Sequence, residues 1–221
     1  TKWDPFRIAW DFSYGNVTYD DGSLNRSGWL AGLLLEYNLD WTKLGLFGWY
    51  SSGDDDNVGN GSERLPTVSN DYGPCSFSGT FMGPDINGLE RDRVIGNNLV
   101  GTWGVGFRLK DMSFLEDLKH TFRVAYWGGT NSPSMVKYMG SGVAWDDTTA
   151  AQDGPYLTTN DGLLEFNLVN SWQIYENLEA NLELGYIVNM MDKDTWDKSY
   201  ISEQRNWSKQ DAWKAQLIIA Y

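Results

Sequence analysis

The final stretch of the chain, Asp211-Ala-Trp-Lys-Ala-Gln-Leu-Ile-Ile-Ala-Tyr221, alternates between two unlike faces. The odd positions are Trp213, Ala215, Leu217, Ile219 and Tyr221, and the even positions are Ala212, Lys214, Gln216, Ile218 and Ala220. Alternation sustained over about ten residues predicts a strand whose two faces meet different surroundings. A strand of this kind needs partner strands elsewhere in the chain.

Seven further segments alternate in the same way. They span residues 6–19, 29–39, 41–51, 98–110, 120–129, 162–175 and 178–191. The faces of the third segment are the least distinct, because Gly45 and Gly48 interrupt them, and the connection 111–118 has room for one helical turn. With the closing strand, the pattern predicts a single all-β domain over residues 1–221, with about eight antiparallel strands.

The connections between these strands alternate in length. Long polar segments follow the odd-numbered strands, and those at about 53–97, 130–161 and 192–210 are the longest. Short turns follow the even-numbered strands. This arrangement places all long loops at one end of the sheet, as in outer-membrane β-barrels with short periplasmic turns and longer external loops.

Composition is compatible with a membrane barrel. The 221 residues contain 15% aromatic side chains and have a mean hydropathy of −0.46. No run approaches the roughly 18 apolar residues of a membrane helix. In a barrel only alternate strand residues face lipid, so a polar average is expected. The aromatic residues form either two interfacial girdles or a rich soluble core.

Charge and residue chemistry argue against several functions. The net charge of −13 argues against nucleic acid or anionic lipid as the main partner. The single cysteine, Cys75, is incidental in a Gly/Pro/Ser-rich stretch, and the single histidine, His120, is expected to be a solvated residue beside a turn. A Ser/His/Asp triad would have to be built on that histidine. We therefore predict no enzymatic activity and no cofactor.

The polar strand faces carry the candidate site. The residues opposite the apolar face are Arg7, Asp11, Glu36, Arg108, Arg123, Glu165, Glu183 and Lys214, with Lys43 as a further candidate. Arg or Lys facing lipid near the midplane costs about 2–4 kcal/mol, so in a membrane barrel this face lines the interior. It would then be the charged wall of a water-filled pore or a salt-bridge network filling a small barrel. In a soluble barrel the same face would be outside.

The acidic loop beginning at Gly53 offers a weak metal candidate. Asp54, Asp55 and Asp56 provide the hard oxygen ligands that Ca²⁺ prefers. The segment lacks the glutamate that closes a calcium-binding loop, and a solvated run of charge is the stronger interpretation.

Three features together resemble a known family. They are Trp3-Asp4-Pro5-Phe6-Arg7-Ile8-Ala9-Trp10-Asp11-Phe12, the hairpin through Asn38-Leu39-Asp40-Trp41, and the ending on Tyr221. The chain thereby resembles the C-terminal portion of bacterial outer-membrane homotrimeric porins. Such porins have about sixteen strands, so the resemblance implies a transmembrane β-barrel of which this chain forms half.

The resemblance also implies a function and partners. The chain would lie in the bacterial outer membrane, in contact with its lipid, and would pair with an N-terminal barrel half. Homotrimers of this kind allow passive diffusion of small hydrophilic solutes and ions. The alternative from the same pattern is a closed eight-stranded outer-membrane barrel that serves as a structural anchor or adhesin.

Overall fold

The strands predicted from alternation form one antiparallel sheet. The structure is a computed structural model and describes residues 2–66, 99–138, 156–197 and 211–221. Its strands are β1 (Lys2–Trp3), β2 (Phe6–Val17), β3 (Arg26–Asn38), β4 (Lys43–Ser51), β5 (Thr102–Leu115), β6 (Leu118–Gly129), β7 (Gly162–Tyr175), β8 (Leu178–Asn189) and β9 (Ala212–Ala220). Each strand pairs with the next along the chain in a nine-stranded sheet. The prediction of an all-β antiparallel sheet is confirmed. The two-residue strand β1 was not predicted.

The connection between β5 and β6 differs from the prediction. No helical turn forms there, because β5 continues to Leu115 and β6 begins at Leu118. Asp117 has a φ of 62°, a left-handed value that aspartate tolerates in tight turns. A register shift between Leu109 and Met112 absorbs the extra residues of β5. The connection is therefore a tight hairpin.

The long connections contain short helical pieces in their described parts. Three-ten turns cover Gly22–Leu24 and Pro133–Tyr138, and the four-residue helix α1 covers Lys193–Trp196. The side chain of Asp192 caps α1 by accepting a hydrogen bond from the Thr195 amide at 2.9 Å. Most of the predicted loop at 53–97, the middle of the loop at 130–161 and the later part of the loop at 192–210 lie outside the described residues. Among those residues, no helix has the length and apolar character needed to cross a membrane.

The sheet has two edges. Within the described ranges β9 pairs only with β8, and β2 pairs with β3 along its length and with the two residues of β1 at one end. These strands do not pair with each other there, so the sheet is open.

The apolar face of the sheet is its exposed face. Trp10 is 76% exposed and Leu217 66% exposed, and both come from the face that alternation marks as apolar. Other exposed apolar residues on this face are Leu33, Leu35, Leu46, Val105, Leu182, Leu184 and Ile219. Ordinary soluble sheets expose their polar face and bury the apolar one, so this sheet is inverted. We call the buried polar side the inner face and the exposed apolar side the outer face.

Exposed aromatic residues form two bands on the outer face. The band near the long loops contains Phe12, Tyr14, Trp29, Tyr50, Trp103, Tyr126, Tyr186 and Trp213, and the band near the short turns contains Phe6, Tyr37, Trp41, Phe114, Trp172, Tyr175 and Tyr221. Neighbours within a band touch: the rings of Trp29 and Tyr50 stack with centroids 5.2 Å apart, and those of Phe6 and Tyr37 meet edge-on at 4.9 Å. Mostly aliphatic side chains separate the two bands.

The inner face nearest the long loops is an apolar core. Trp49 and Trp127 meet edge-on with ring centroids 5.0 Å apart, and a Cβ added to Gly104 would lie 2.4 Å from the Trp49 ring. Loop residues pack against this core, among them Leu65, Leu99, Val136, Leu157 and Trp196. The glycines there accommodate indole and phenyl rings, so this half of the inner face is filled by side chains.

Candidate functional site

One row of inner-face positions crosses all eight long strands. The register aligns Arg7, Glu36, Gly45, Arg108, Arg123, Asn167, Gly185 and Lys214, each opposite the next. We call these eight positions the charged row. Neighbouring strands lie about 4.8 Å apart, so the row is a continuous strip of polar positions across the sheet. Of the eight predicted site residues, the row contains four basic ones and one acidic one.

Glu36 is the acid that joins the first part of this row. Its Oε2 accepts a hydrogen bond from Arg7 Nη1 at 2.7 Å, and its Oε1 accepts one from Arg108 Nη2. Glu36 and Arg108 are buried, whereas the Arg7 side chain is 41% exposed. Both oxygens of one carboxylate are thus shared between two guanidinium groups.

Arg108 occupies its place because Gly45 lacks a side chain. A Cβ on Gly45 would lie 2.7 Å from Arg108 Cγ and 3.1 Å from its Nε. Arg108 is fully buried, and its Nε and Nη1 have no hydrogen-bond partner among the described residues. Arg123 is the directly opposed residue on β6 and is 1% exposed.

The predicted acids of β7 and β8 flank the row. Glu165 is opposite Ala125, one inner position nearer the long loops, and Glu183 is opposite Val169, one inner position nearer the short turns. Both are buried, and Asn167 Nδ2 donates to Glu165 Oε1 at 3.1 Å. The remaining predicted acid, Asp11, is exposed on β2 opposite Gly32, and the structure does not bring it to the row.

Two further predicted basic residues lie at the end of the row and beside it. The register places Lys214 at the end of the row, opposite Gly185. Lys43 lies next to the row toward the short turns, opposite Lys110, and donates to Asp111 Oδ2 at 2.8 Å. Lys110 and Asp111 were missed by the sequence analysis. The parity of Lys110 with Arg108 could have identified Lys110, but Asp111 follows a register shift that alternation does not reveal.

A hydrogen-bond network joins the loops above the apolar core. Asn131 is fully buried, and its Nδ2 donates to the carbonyl oxygens of Gly101 at 3.1 Å and Leu157 at 2.6 Å. Its Oδ1 accepts from the Asp54 amide at 3.0 Å. One side chain therefore ties together three segments of the long-loop end.

Asp161 is a second centre of this network. Its carboxylate accepts from the Thr158 amide and hydroxyl at 2.7 Å each, from the Asp192 amide at 2.8 Å and from Trp196 Nε1 at 3.0 Å. Several donors on one buried carboxylate fix the loop before β7 against α1. The described loop ends thus form a packed cap.

The acidic loop uses its carboxylates within this cap. Asp54 accepts hydrogen bonds from the hydroxyls of Ser62 and Tyr156, and Asp55 accepts from the Asn57 amide at 2.7 Å. Burial and the neighbouring Asp54 carboxylate raise the pKa of Tyr156, so its phenol remains the donor. No group of three or more potential metal-ligating residues is found in the part of the chain that the structure describes. The weak Ca²⁺ candidate at Asp54–Asp56 stays a prediction.

The charged row and the outer face give the two sides of the sheet opposite chemical character. The row places charged side chains on the buried face of a sheet whose exposed face is apolar. No protein-family model, curated protein or solved structure matches this chain.

Proposed function

We propose that this chain forms part of an outer-membrane porin for the passive diffusion of small hydrophilic solutes and ions. The observation that carries the proposal is the inversion of the sheet, with exposed leucines and aromatic rings outside and buried Arg108, Arg123, Glu165 and Glu183 inside. A sheet of this kind is stable when hydrocarbon replaces water at its outer face. No cofactor and no covalent chemistry are required.

The height of the apolar band supports membrane insertion. On β3 the aromatic bands are marked by Trp29 and Tyr37, which are about 27 Å apart along the strand at roughly 3.4 Å per residue. A strand tilt of about 40° reduces this to about 20 Å along the membrane normal, close to the roughly 25 Å band of outer-membrane barrels. On β9, Trp213 and Tyr221 have the same separation. The bands would therefore lie at the two membrane interfaces.

A channel needs more strands than this sheet has. Eight strands enclose an interior that side chains just fill, whereas barrels with sixteen strands leave an aqueous path. The open edges at β2 and β9 provide places for added strands, since each has backbone groups facing outward from the sheet. We propose that a second barrel half pairs with both edges, and that three such barrels associate as a homotrimer in the bacterial outer membrane.

The packed inner face favours an alternative, a closed eight-stranded barrel. Trp49, Trp127 and the loop residues on them fill the inner face near the long loops, as expected for a barrel that closes by pairing β2 with β9. Such a protein would be an outer-membrane anchor or adhesin that presents its acidic loops.

Conductance of the intact protein separates these two functions. The protein is purified from membranes in mild detergent, tested for heat-modifiable migration on gels, and added to a planar bilayer. The porin is expected to give large, stable current steps in groups of three. Folded, inserted protein without conductance would overturn the porin and leave the anchor. Migration as a detergent-free soluble monomer would overturn both.

A further inference from the structure

We propose that the second half of the barrel is a second copy of this chain, with β9 of each copy paired to β2 of the other. The proposal deepens the porin function by naming the partner that completes the barrel, and it rests on that function for the membrane setting. Two copies with eight long strands each give the sixteen strands that leave an aqueous path. The evidence is the direction, length, exposure and charge of the two edge strands.

The two edges of one chain do not meet. No Cα atom of β2 lies within 8 Å of a Cα atom of β9. Directly opposed residues of an antiparallel pair have Cα atoms about 4.5–5.5 Å apart, so these strands are too far from each other to pair. In hydrocarbon, backbone N–H and C=O groups have no water to bond with, and an unpaired strand edge is unstable there. Both edges therefore need a partner strand.

The directions of the edge strands suit each other. β2 runs toward the long-loop end of the sheet and β9 runs away from it, because every pairing between them is antiparallel. An odd number of added strands would leave one edge with a parallel neighbour, unlike the antiparallel barrels of outer membranes. A second copy adds eight long strands and keeps both junctions antiparallel with all long loops at one end.

The edge strands also match in length. β1 pairs with Phe6 and Arg7 and so covers the short-turn end of the β2 edge. Beyond this hairpin and one spacer residue, positions 9–17 of β2 match the nine residues of β9, Ala212–Ala220. Opposing position 17 with Ala212 aligns the two stretches from end to end and sets inner-face residues against inner-face residues. We call this pairing the joining register.

The aromatic residues of the edge strands are exposed as if a neighbour were absent. Trp213 is 75% exposed and Tyr14 63% exposed, whereas Trp103 and Tyr126 are 37% and 38% exposed. The rings of Trp103 and Tyr126 lie 5.7 Å apart, and their positions are offset by two residues across β5 and β6. The joining register sets Tyr14 opposite Ala215, with Trp213 two residues nearer the long loops. It therefore repeats the arrangement of an aromatic pair already present in the sheet.

The inner faces of the joined strands are electrostatically compatible. Arg7 is bonded to Glu36, and the other charged residues on these faces are the exposed Asp11 on β2 and Lys214 on β9. Asp11 and Lys214 have opposite charge, and the joining register sets an uncharged residue opposite each of them. Like charges directly opposed would destabilise a sheet, and here none are opposed. Two such junctions close a ring with two-fold symmetry.

Disulfide crosslinking in membranes tests the second copy. Two differently tagged full chains are co-expressed on a Cys75→Ser background, one with Phe12→Cys and the other with Leu217→Cys. The joining register sets these two exposed outer-face positions opposite each other. Oxidation should join the tags in a reducible product of twice the 25.1 kDa mass of one chain. Tyr14→Cys with Ala215→Cys provides a second pair in the same register if the first variant does not fold.

A matched control replaces the edge position with one inside the sheet. Leu46→Cys on β4 is on the outer face and 58% exposed in the native residue, so it should not link to Leu217→Cys. Phe12→Cys and Leu217→Cys placed in one chain should also give the two-chain product. A disulfide within that single chain, or failure of both pairs in folded protein, would overturn the second copy. Conductance without linkage between copies would leave the porin with a different second half. Linkage without conductance would leave the two-copy barrel and overturn the porin.

Discussion

Arg108 and Arg123 are directly opposed across the β5–β6 pair, and both are buried. Two guanidinium groups at such a position require compensating negative charge, because burial removes the water that would screen them. Glu36 provides part of it through its contact with Arg108. The stability of this region should therefore depend on single acidic residues in a way that an ordinary surface does not.

Replacing Glu36 with Gln should be strongly destabilising. It removes the carboxylate that contacts Arg7 and Arg108 and leaves the buried Arg108 without a charged partner among the described residues. Breaking a buried ion pair from one side costs about 3–5 kcal/mol. Urea unfolding of the detergent-folded protein, followed by tryptophan fluorescence, measures the change in the free energy of unfolding. Lys193→Gln breaks the exposed Lys193–Asp197 pair and serves as the control, with no measurable change expected. Equal stability of both variants would show that Glu36 is not holding these arginines.

In the porin, reversing the charge of the arginine pair should change ion selectivity. The double variant Arg108→Glu with Arg123→Glu replaces two positive groups of the charged row with negative ones, so the path should come to favour cations. The reversal potential in a planar bilayer with a salt gradient reports this shift. Heat-modifiable migration confirms that the variant is folded before it is measured. Selectivity that stays at the wild-type value would mean that these arginines do not line the path.

Asn131 should hold the loop cap together. Asn131→Ala removes its bonds to Gly101, Leu157 and Asp54. The Gly101 carbonyl keeps its bond from the Thr130 amide, whereas the buried Leu157 carbonyl and the half-buried Asp54 amide lose the partner that Asn131 provides. Each such loss costs about 1–3 kcal/mol, which should loosen the cap more than the sheet. Hydrogen exchange read by mass spectrometry should show faster exchange at 99–101 and 156–161, with the strands little changed. Asn57→Ala in an exposed turn is the control. Equal exchange rates at 99–101 and 156–161 in the two variants would contradict a role for Asn131 in the cap.

The sheet could be predicted because its signal is local. Each strand shows alternation within its own residues, so β7 was predicted with its observed bounds, 162–175, and the others within a few residues. The turn at Glu116–Asp117 was missed because β5 continues through a bulge, and a bulge interrupts alternation without ending a strand.

The charged row could be predicted only in part. Alternation assigns a residue to a face, and it correctly separates Arg108 from the outer leucines. It does not give the register between strands, on which the alignment of Arg7, Glu36, Gly45 and Arg108 depends. It also cannot show that Trp49 and Trp127 fill the inner face, since this depends on Gly104 of β5 lying opposite both of them. The buried loop centres, Asn131 and Asp161, have no periodic signal at all.

The orientation of the two faces can be tested with spin labels in lipid vesicles. Cys75 is the single cysteine, so Cys75→Ser provides a background for labels placed one at a time. Labels at Leu33, Val105 and Leu217 should be accessible to oxygen, which concentrates in hydrocarbon, because these residues are exposed on the apolar face. Labels at Glu183 and Asn181 on the inner face should be less accessible to oxygen.

A polar nickel chelate provides the matched measurement, since it is excluded from the bilayer. Ratios of oxygen to nickel accessibility should be high at the outer positions and should peak between the two aromatic bands. On β3 we expect the ratio at Leu33 to exceed that at Trp29 and Tyr37, which mark the bands. A higher ratio at Glu183 than at Leu33 would invert the assignment, and the apolar face would then be one that packs against protein instead of lipid.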